Sequence, residues 1–287
     1  MTRFLDAFNA RGALGYAVCV GLDPHPARVP LHIRQEFPVP LSWFEVFTRK
    51  IIEDTCDIAG AYKLNWAFYL RHNTCGMELL ERTVRMIRLH NPDVPIILDA
   101  KFADIGDTNQ GYVEIMNWLD VDAFTAVPFV GFEDGIKPLF ELRDRQVFVW
   151  IRSSNKSAGD LQNMRVLVGD GEVKRTAPLW QVLAEKAQAN WDPYGNLGFI
   201  VGAPYVEELA QCRVIAPTIP FLVPGVGTQG GKISEIVPKG RIDRHQLGLV
   251  INERRRIIHA SIRDDFNVKA RVRAMVSNKE IMDALAS

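Results

Sequence analysis

The chain has 287 residues, 47% of them hydrophobic, enough for one large α/β barrel core or two ordinary domains. Its 34 basic and 34 acidic residues cancel to a formal net charge of +0, which removes any electrostatic case for nucleic acid or an anionic membrane as partner. No apolar run approaches the ~20 residues of a spanning helix, and "MTRFLDAFNARGALGYAV" carries charged and polar residues where a signal peptide needs an unbroken apolar stretch.

In chain order, eight runs rich in branched apolar residues predict strands: "YAVCVGLD", "AGAYKLN", "PIILDAK", "VDAFTAVP", "QVFVWIRSS", "LGFIVGA", "PFLVPGVG" and "LGLVINE". Segments of helical spacing separate them. In "SWFEVFTRKIIEDTCDIA" apolar residues recur at Trp43, Phe47 and Ile51 and at Phe44, Ile52 and Cys56. In "TNQGYVEIMNWL", Tyr112, Ile115, Met116 and Leu119 share one face. Continuous apolar strands alternating with helices predict parallel strands covered by helices. Eight such units in this length predict a single-domain (β/α)8 TIM barrel over residues 1–287. The longest irregular region, about 153–178, is expected to be an insertion after the fifth strand. Cys19, Cys56, Cys75 and Cys212 are scattered with no C-x-x-C pair, which predicts reduced thiols and a cytoplasmic location.

A barrel of this kind carries its chemistry at the C-terminal ends of the strands. The unusual residues fall there: Asp23 after "CVGL", Lys63 after "AGAY", Asp99 and Lys101 after "PIIL", Ser153 and Ser154 after "VFVWIR". The stretch "PIILDAKFADIGDTNQGY" is the most informative. Buried charges cost several kcal/mol unless paired, yet Asp99, Lys101, Asp104 and Asp107 follow an apolar strand within nine residues. Alternation along a strand sends Ile97, Asp99 and Lys101 to one side. A bland salt-bridged strand end would tolerate such charges. Two amines and three carboxylates around one mouth, Lys63 and Asp23 included, form instead a set in which each charge keeps the others ionised.

These residues resemble the orotidine 5′-phosphate decarboxylase family, whose core motif D-x-K-x-x-D-I-x-x-T is matched by Asp99, Lys101, Asp104, Ile105 and Thr108. Further matches follow in the family's order: Asp23 in "CVGLDPHP", Lys63 in "YKLNWAFY", Ser154 in "RSSNKS", Gln229 in "LVPGVGTQGG" and Arg255 in "INERRRIIHAS". The resemblance runs from about residue 16 to 262 and points to the longer bacterial-type subgroup. It implies a (β/α)8 homodimer with shared active sites, converting orotidine 5′-phosphate to UMP and CO2 with no metal or organic cofactor. It also implies roles. Lys101 would protonate C6 of the pyrimidine, Asp99 would sit beside the departing carboxylate, and Lys63 would continue the charge network. Asp104 and Thr108 would reach into the partner's site, Asp23 would bind ribose hydroxyls and Ser154 the pyrimidine. Gln229 and Arg255 would complete the substrate contacts.

The phosphate end departs from the pattern. Where the long-form family usually reads N-S-S-R-G-I, this chain has Asn252, Glu253, Arg254, Arg255, Arg256 and Ile257. Alignment through Asn252 and Ile257 selects Arg255 as the phosphate ligand, with Arg254 and Arg256 expected to face helices or solvent. The preceding "PGVGTQGGK" is glycine-rich at the usual phosphate position of a barrel but is no P-loop, since Ile233 follows Lys232. No histidine pair has metal-site spacing, so no metal site is expected. Two other readings stand beside the first: a Mg-dependent decarboxylase of keto-sugar-acid phosphates from the same superfamily, and a non-catalytic nucleotide-binding barrel. The second would tend to lose charges as costly as Lys63, Asp99, Lys101 and Asp104.

Overall fold

Branched apolar runs buried on both faces favour parallel strands, because helices on the outside and side chains on the inside both exclude water. A computed structural model of the protein describes residues 1–37, 39–169, 174–227 and 229–287. Ten strands occur among them: β1 Val18–Gly21, β2 Ala61–Asn65, β3 Ile96–Phe102, β4 Ala123–Ala126, β5 Gln146–Arg152, β6 Arg165–Val168, β7 Arg175–Pro178, β8 Leu197–Val201, β9 Phe221–Pro224 and β10 Leu249–Glu253. Eight of them close a barrel in the order β1-β10-β9-β8-β5-β4-β3-β2, every pair parallel. All eight coincide with the apolar runs of the sequence. The fold is a single-domain (β/α)8 TIM barrel. The remaining pair, β6 and β7, forms an antiparallel hairpin outside the barrel within the expected insertion; residues 170–173 of that expectation lie outside the described residues.

The barrel interior shows why the site sits where it does. Cys19, Ala61, Ile97, Ala123, Phe148, Ile200, Leu222 and Val250, one from each barrel strand, form the inner apolar layer. Two residues further along each strand the same face is presented again, roughly 6.6 Å higher. That step converts the apolar layer into Gly21, Lys63, Asp99, Thr125, Trp150, Pro224 and Asn252 on seven of the eight strands. The lower end is closed by the helix Arg3–Ala13, which the strand pattern did not anticipate. Phe4 and Phe8 join the inner layer, Phe4 meeting Phe148 edge-on at 5.6 Å, and the Thr2 hydroxyl caps the helix and donates to Gln146. With that end filled, the cavity lies at the upper end, lined by residues of the upper layer.

Candidate active site

Asp99 is the centre of the upper layer. Its Oδ2 accepts from Lys63 Nζ at 2.8 Å and Asn65 Nδ2 at 3.3 Å; its Oδ1 accepts from Lys101 Nζ at 2.6 Å and Thr125 Oγ1 at 3.0 Å. Burial alone would push this carboxyl up, but the two ammonium groups outweigh it and hold Asp99 well below the usual carboxylate range. Lys63 mirrors it. Burial opposes its charge, yet Asp99 and then Asp23 hold it above the ordinary lysine value. The two lysines differ in access: the Lys63 side chain is 5% exposed and that of Lys101 33%, so Lys101 is the ammonium that faces the cavity.

The backbone reaches this arrangement by breaking the strand. Pairing of β3 with β4 shifts between Leu98 and Phe102, and Lys101 has φ +57. Its amide N–H donates to Thr125 Oγ1 at 2.8 Å, and its ammonium lies 5.5 Å over the Trp150 ring. Asp99 and Lys101 do share one side, but through a local left-handed turn rather than plain alternation. A non-glycine residue there costs about 1–2 kcal/mol, a strain found where function demands the geometry.

Asp23 extends the network sideways. Its Oδ1 accepts from the Asn65 amide at 2.8 Å, and its Oδ2 faces Arg254 Nη1 at 3.8 Å. Burial raises its pKa, opposed chiefly by Lys63. A cavity of about 270 Å³ is lined by the charged row and by Ser154, Gln229 and Arg255, with Ile200 and Leu222 of the inner layer beneath them. Gly225, at φ +102, makes the close approach possible: a Cβ there would lie 2.7 Å from Gln229 Oε1 and 3.1 Å from Ser154 Cβ. Among the described residues no group of three or more His, Cys, Asp or Glu side chains is placed to hold a metal ion.

A cavity with Arg254 and Arg255 in its wall and a Lys–Asp–Lys row at the mouth of a parallel barrel narrow the comparison. Residues 16–259 match the model of the orotidine 5′-phosphate decarboxylase / HUMPS family. The chain belongs to this family. The orotidine 5′-phosphate decarboxylase of Paracidovorax citrulli is 38% identical over 276 residues, covering 96% of both chains, and that of Polaromonas naphthalenivorans is 36% identical over 98% of this chain and 95% of its own. Among solved structures, Leishmania donovani OMP decarboxylase superposes with a TM-score of 0.82 at 31% identity and full coverage of both chains. Leishmania donovani UMP synthase gives 0.83 at 32% identity; there the chain spans 57% of the longer protein.

Of the residues expected to serve an orotidine 5′-phosphate decarboxylase family site, Asp23, Lys63, Asp99, Lys101, Ser154, Gln229 and Arg255 surround the one cavity. Asp104 and Thr108 do not line it. Asp104 caps the backbone of Ile105, its carbonyl accepts from Asn109, and Thr108 is exposed on the helix Gly106–Leu119. The arginine triplet needs a correction. Arg254 does not face a helix or bulk solvent: it lines the cavity beside Arg255. The strand ends at Glu253, so Arg254 keeps the inward phase of Asn252, and its backbone (φ −116, ψ −79) turns the chain into the short helix Arg255–Ile258. That turn swings Arg255 to the cavity as well. Arg256 points away, near Glu253 and Glu280, with its stem under Gly227. Asn65, Thr125, Trp150 and Asn252 were not anticipated either. Each stands on an inward position of its strand, a signal visible only once the inner phase is known.

Proposed function

We propose that this chain converts orotidine 5′-phosphate to UMP and CO2, a step of pyrimidine biosynthesis, with no metal or organic cofactor. The Lys63–Asp99–Lys101 row carries the reading: one buried carboxylate binds two ammonium groups, and the more exposed of these faces the cavity. The C6–carboxylate bond breaks with its electron pair left on C6. A fixed ammonium stabilises that charge as it develops and then delivers its proton to C6. Lys101 is the donor in this reading and recovers a proton from water. Asp99 lies beside the departing carboxylate and holds Lys101 in place, while Lys63 keeps Asp99 ionised. Asp23 binds ribose hydroxyls, Ser154 the pyrimidine, Arg255 the phosphate, and Gln229 contacts substrate from the glycine-rich loop. Phosphate binding energy at that remote end can order the loop and the reacting centre.

The working unit in this reading is a homodimer whose sites are shared, with Asp104 and Thr108 acting in the partner's cavity. Their position outside their own cavity supports it. So does the apolar surface beside them: Ile105 is 63% exposed, and in the short turn Pro128–Val130 Phe129 is 53% and Val130 39% exposed. Asn109 donates to the carbonyls of Asp104 and of Gly135 in the segment that follows that turn. Free cysteines, three of the four buried, favour a reducing compartment such as the cytoplasm. No helix among the described residues is long and apolar enough to cross a membrane. Ultraviolet monitoring of orotidine 5′-phosphate, with and without EDTA, tests the reaction. Loss of substrate absorbance unaffected by chelator is expected; an inert protein, or one silenced by EDTA, overturns it.

A further inference from the structure

Arg254 is the charged side chain in the cavity wall that neither the family motif nor the reaction uses. The surrounding structure is shaped to hold it. Its stem crosses the end of β1 at Gly21, where a Cβ would lie 3.0 Å from Arg254 Cβ and 3.3 Å from Cγ. Its guanidinium lies 4.9 Å over the Phe68 ring, which restrains its plane, and Nη1 stands 3.8 Å from Asp23 Oδ2. That separation is an ion pair but too long for a hydrogen bond. Among the described residues the guanidinium has no hydrogen-bond acceptor, and Asp23 Oδ2 has no donor.

We propose that Arg254, acting with Asp23, is a specificity-determining residue that reads the ribose diol of the nucleotide. The inference rests on the nucleotide reading given above. A continuous line of contacts places the pair. Lys101 bonds Asp99, Asp99 bonds Asn65, the Asn65 amide bonds Asp23, and Asp23 faces Arg254, which adjoins Arg255. With the reacting base at Lys101 and the phosphate at Arg255, the sugar lies along the middle of this line. The chemistry fits a hydroxyl. Asp23 Oδ2 can only accept and Arg254 can only donate, whereas a hydroxyl does both at once. A deoxy sugar leaves the buried Asp23 or the half-buried Arg254 unpaired, the circumstance in which a site discriminates strongly against the analogue lacking the group. Among the described residues the charges that act on Arg254 are those of Asp23, Arg255 and Arg28, and of these three Asp23 is the anion.

Calorimetric titration with UMP, its 2′-deoxy and 3′-deoxy analogues, and uridine tests this on the intact protein. The wild type should prefer UMP over at least one deoxy analogue by tenfold or more, and Arg254→Ala should shrink that preference by about tenfold. The UMP-to-uridine ratio, which reports the phosphate, should stay within about threefold of wild type. A ribo-to-deoxy preference unchanged in Arg254→Ala overturns the proposal. So does a collapse of the UMP-to-uridine ratio with the sugar preference intact, which makes Arg254 a phosphate ligand. Arg254→Lys keeps the charge beside Asp23 but loses the fork, and carries the same readout if Arg254→Ala fails to fold. Turnover of orotidine 5′-phosphate by the wild type separates the two layers. An inactive wild type sinks the decarboxylase reading, whereas an active one with no sugar preference to lose sinks only this inference.

Discussion

Replacing Lys101 by both alanine and glycine separates its chemical role from its structural one. Either change removes the cavity-facing ammonium and with it both the proton donor and the nearest positive charge to C6. General acid catalysis contributes about 10²–10⁴-fold and a positioned charge about 10²–10³-fold. Turnover should therefore fall at least about ten-thousandfold, or roughly 5 kcal/mol or more of transition-state stabilisation. Stability should fall far less. Asp99 keeps its bonds to Lys63, Asn65 and Thr125, and the lost partner is one-third exposed, so the pair contributes only about 1–2 kcal/mol after screening. The two variants should also differ from each other. At φ +57 alanine keeps the strain that lysine bears, whereas glycine relieves it, so Lys101→Gly should be about 1 kcal/mol more stable than Lys101→Ala. The ultraviolet assay reads the first effect and denaturant midpoints at equal slope read the second. Retention of more than a tenth of wild-type turnover in either variant removes Lys101 as the essential acid. An alanine variant as stable as the glycine one removes the claim of backbone strain.

Mixing inactive Lys101→Ala with inactive Asp104→Ala should restore activity through hybrid sites that carry both wild-type groups; no recovery after verified subunit exchange counts against shared sites. Arg255→Ala should lower kcat/KM about a hundredfold or more, near 2.7 kcal/mol, and leave a substrate lacking phosphate almost untouched. Gly227→Ala should weaken phosphate-dependent binding because its Cβ would lie 2.1 Å from Arg256 Cδ and its φ is +78; the penalty should shrink in an Arg256→Ala background, and additive effects would refute that contact. The Lys63–Asp99 pair should make a contribution to stability that is flat between about pH 5 and 9. The depressed Asp99 stabilises the fold above its unfolded pKa of about 3.9 and loses that contribution as pH falls further, and the elevated Lys63 stabilises it below about 10.4 and loses that contribution as pH rises further. The difference in unfolding free energy between wild type and Asp99→Asn, measured at pH 3, 5, 7 and 9, should hold constant over the last three and narrow at pH 3.

Much of this protein is legible in one dimension because its signals are local and periodic. Each of the eight barrel strands is a run of branched residues, and a parallel barrel buries both faces of every strand, so apolar continuity alone marks all eight. Asp99 and Lys101 are conspicuous for the opposite reason: charge at the end of such a run is too costly to be idle. The chain could not announce what depends on phase and on distant neighbours. The helix Arg3–Ala13 becomes a plug only because Phe148 waits inside the barrel. Asn65 and Thr125 are ordinary polar residues until closure of the sheet brings them to the two oxygens of Asp99. The three arginines could not be sorted by strand alternation because β10 stops at Glu253 and the backbone turns at Arg254. Local periodicity determines which segments pair and cover one another; only the closed barrel decides which side chains converge, since residues distant in sequence meet there through a register that no single segment contains.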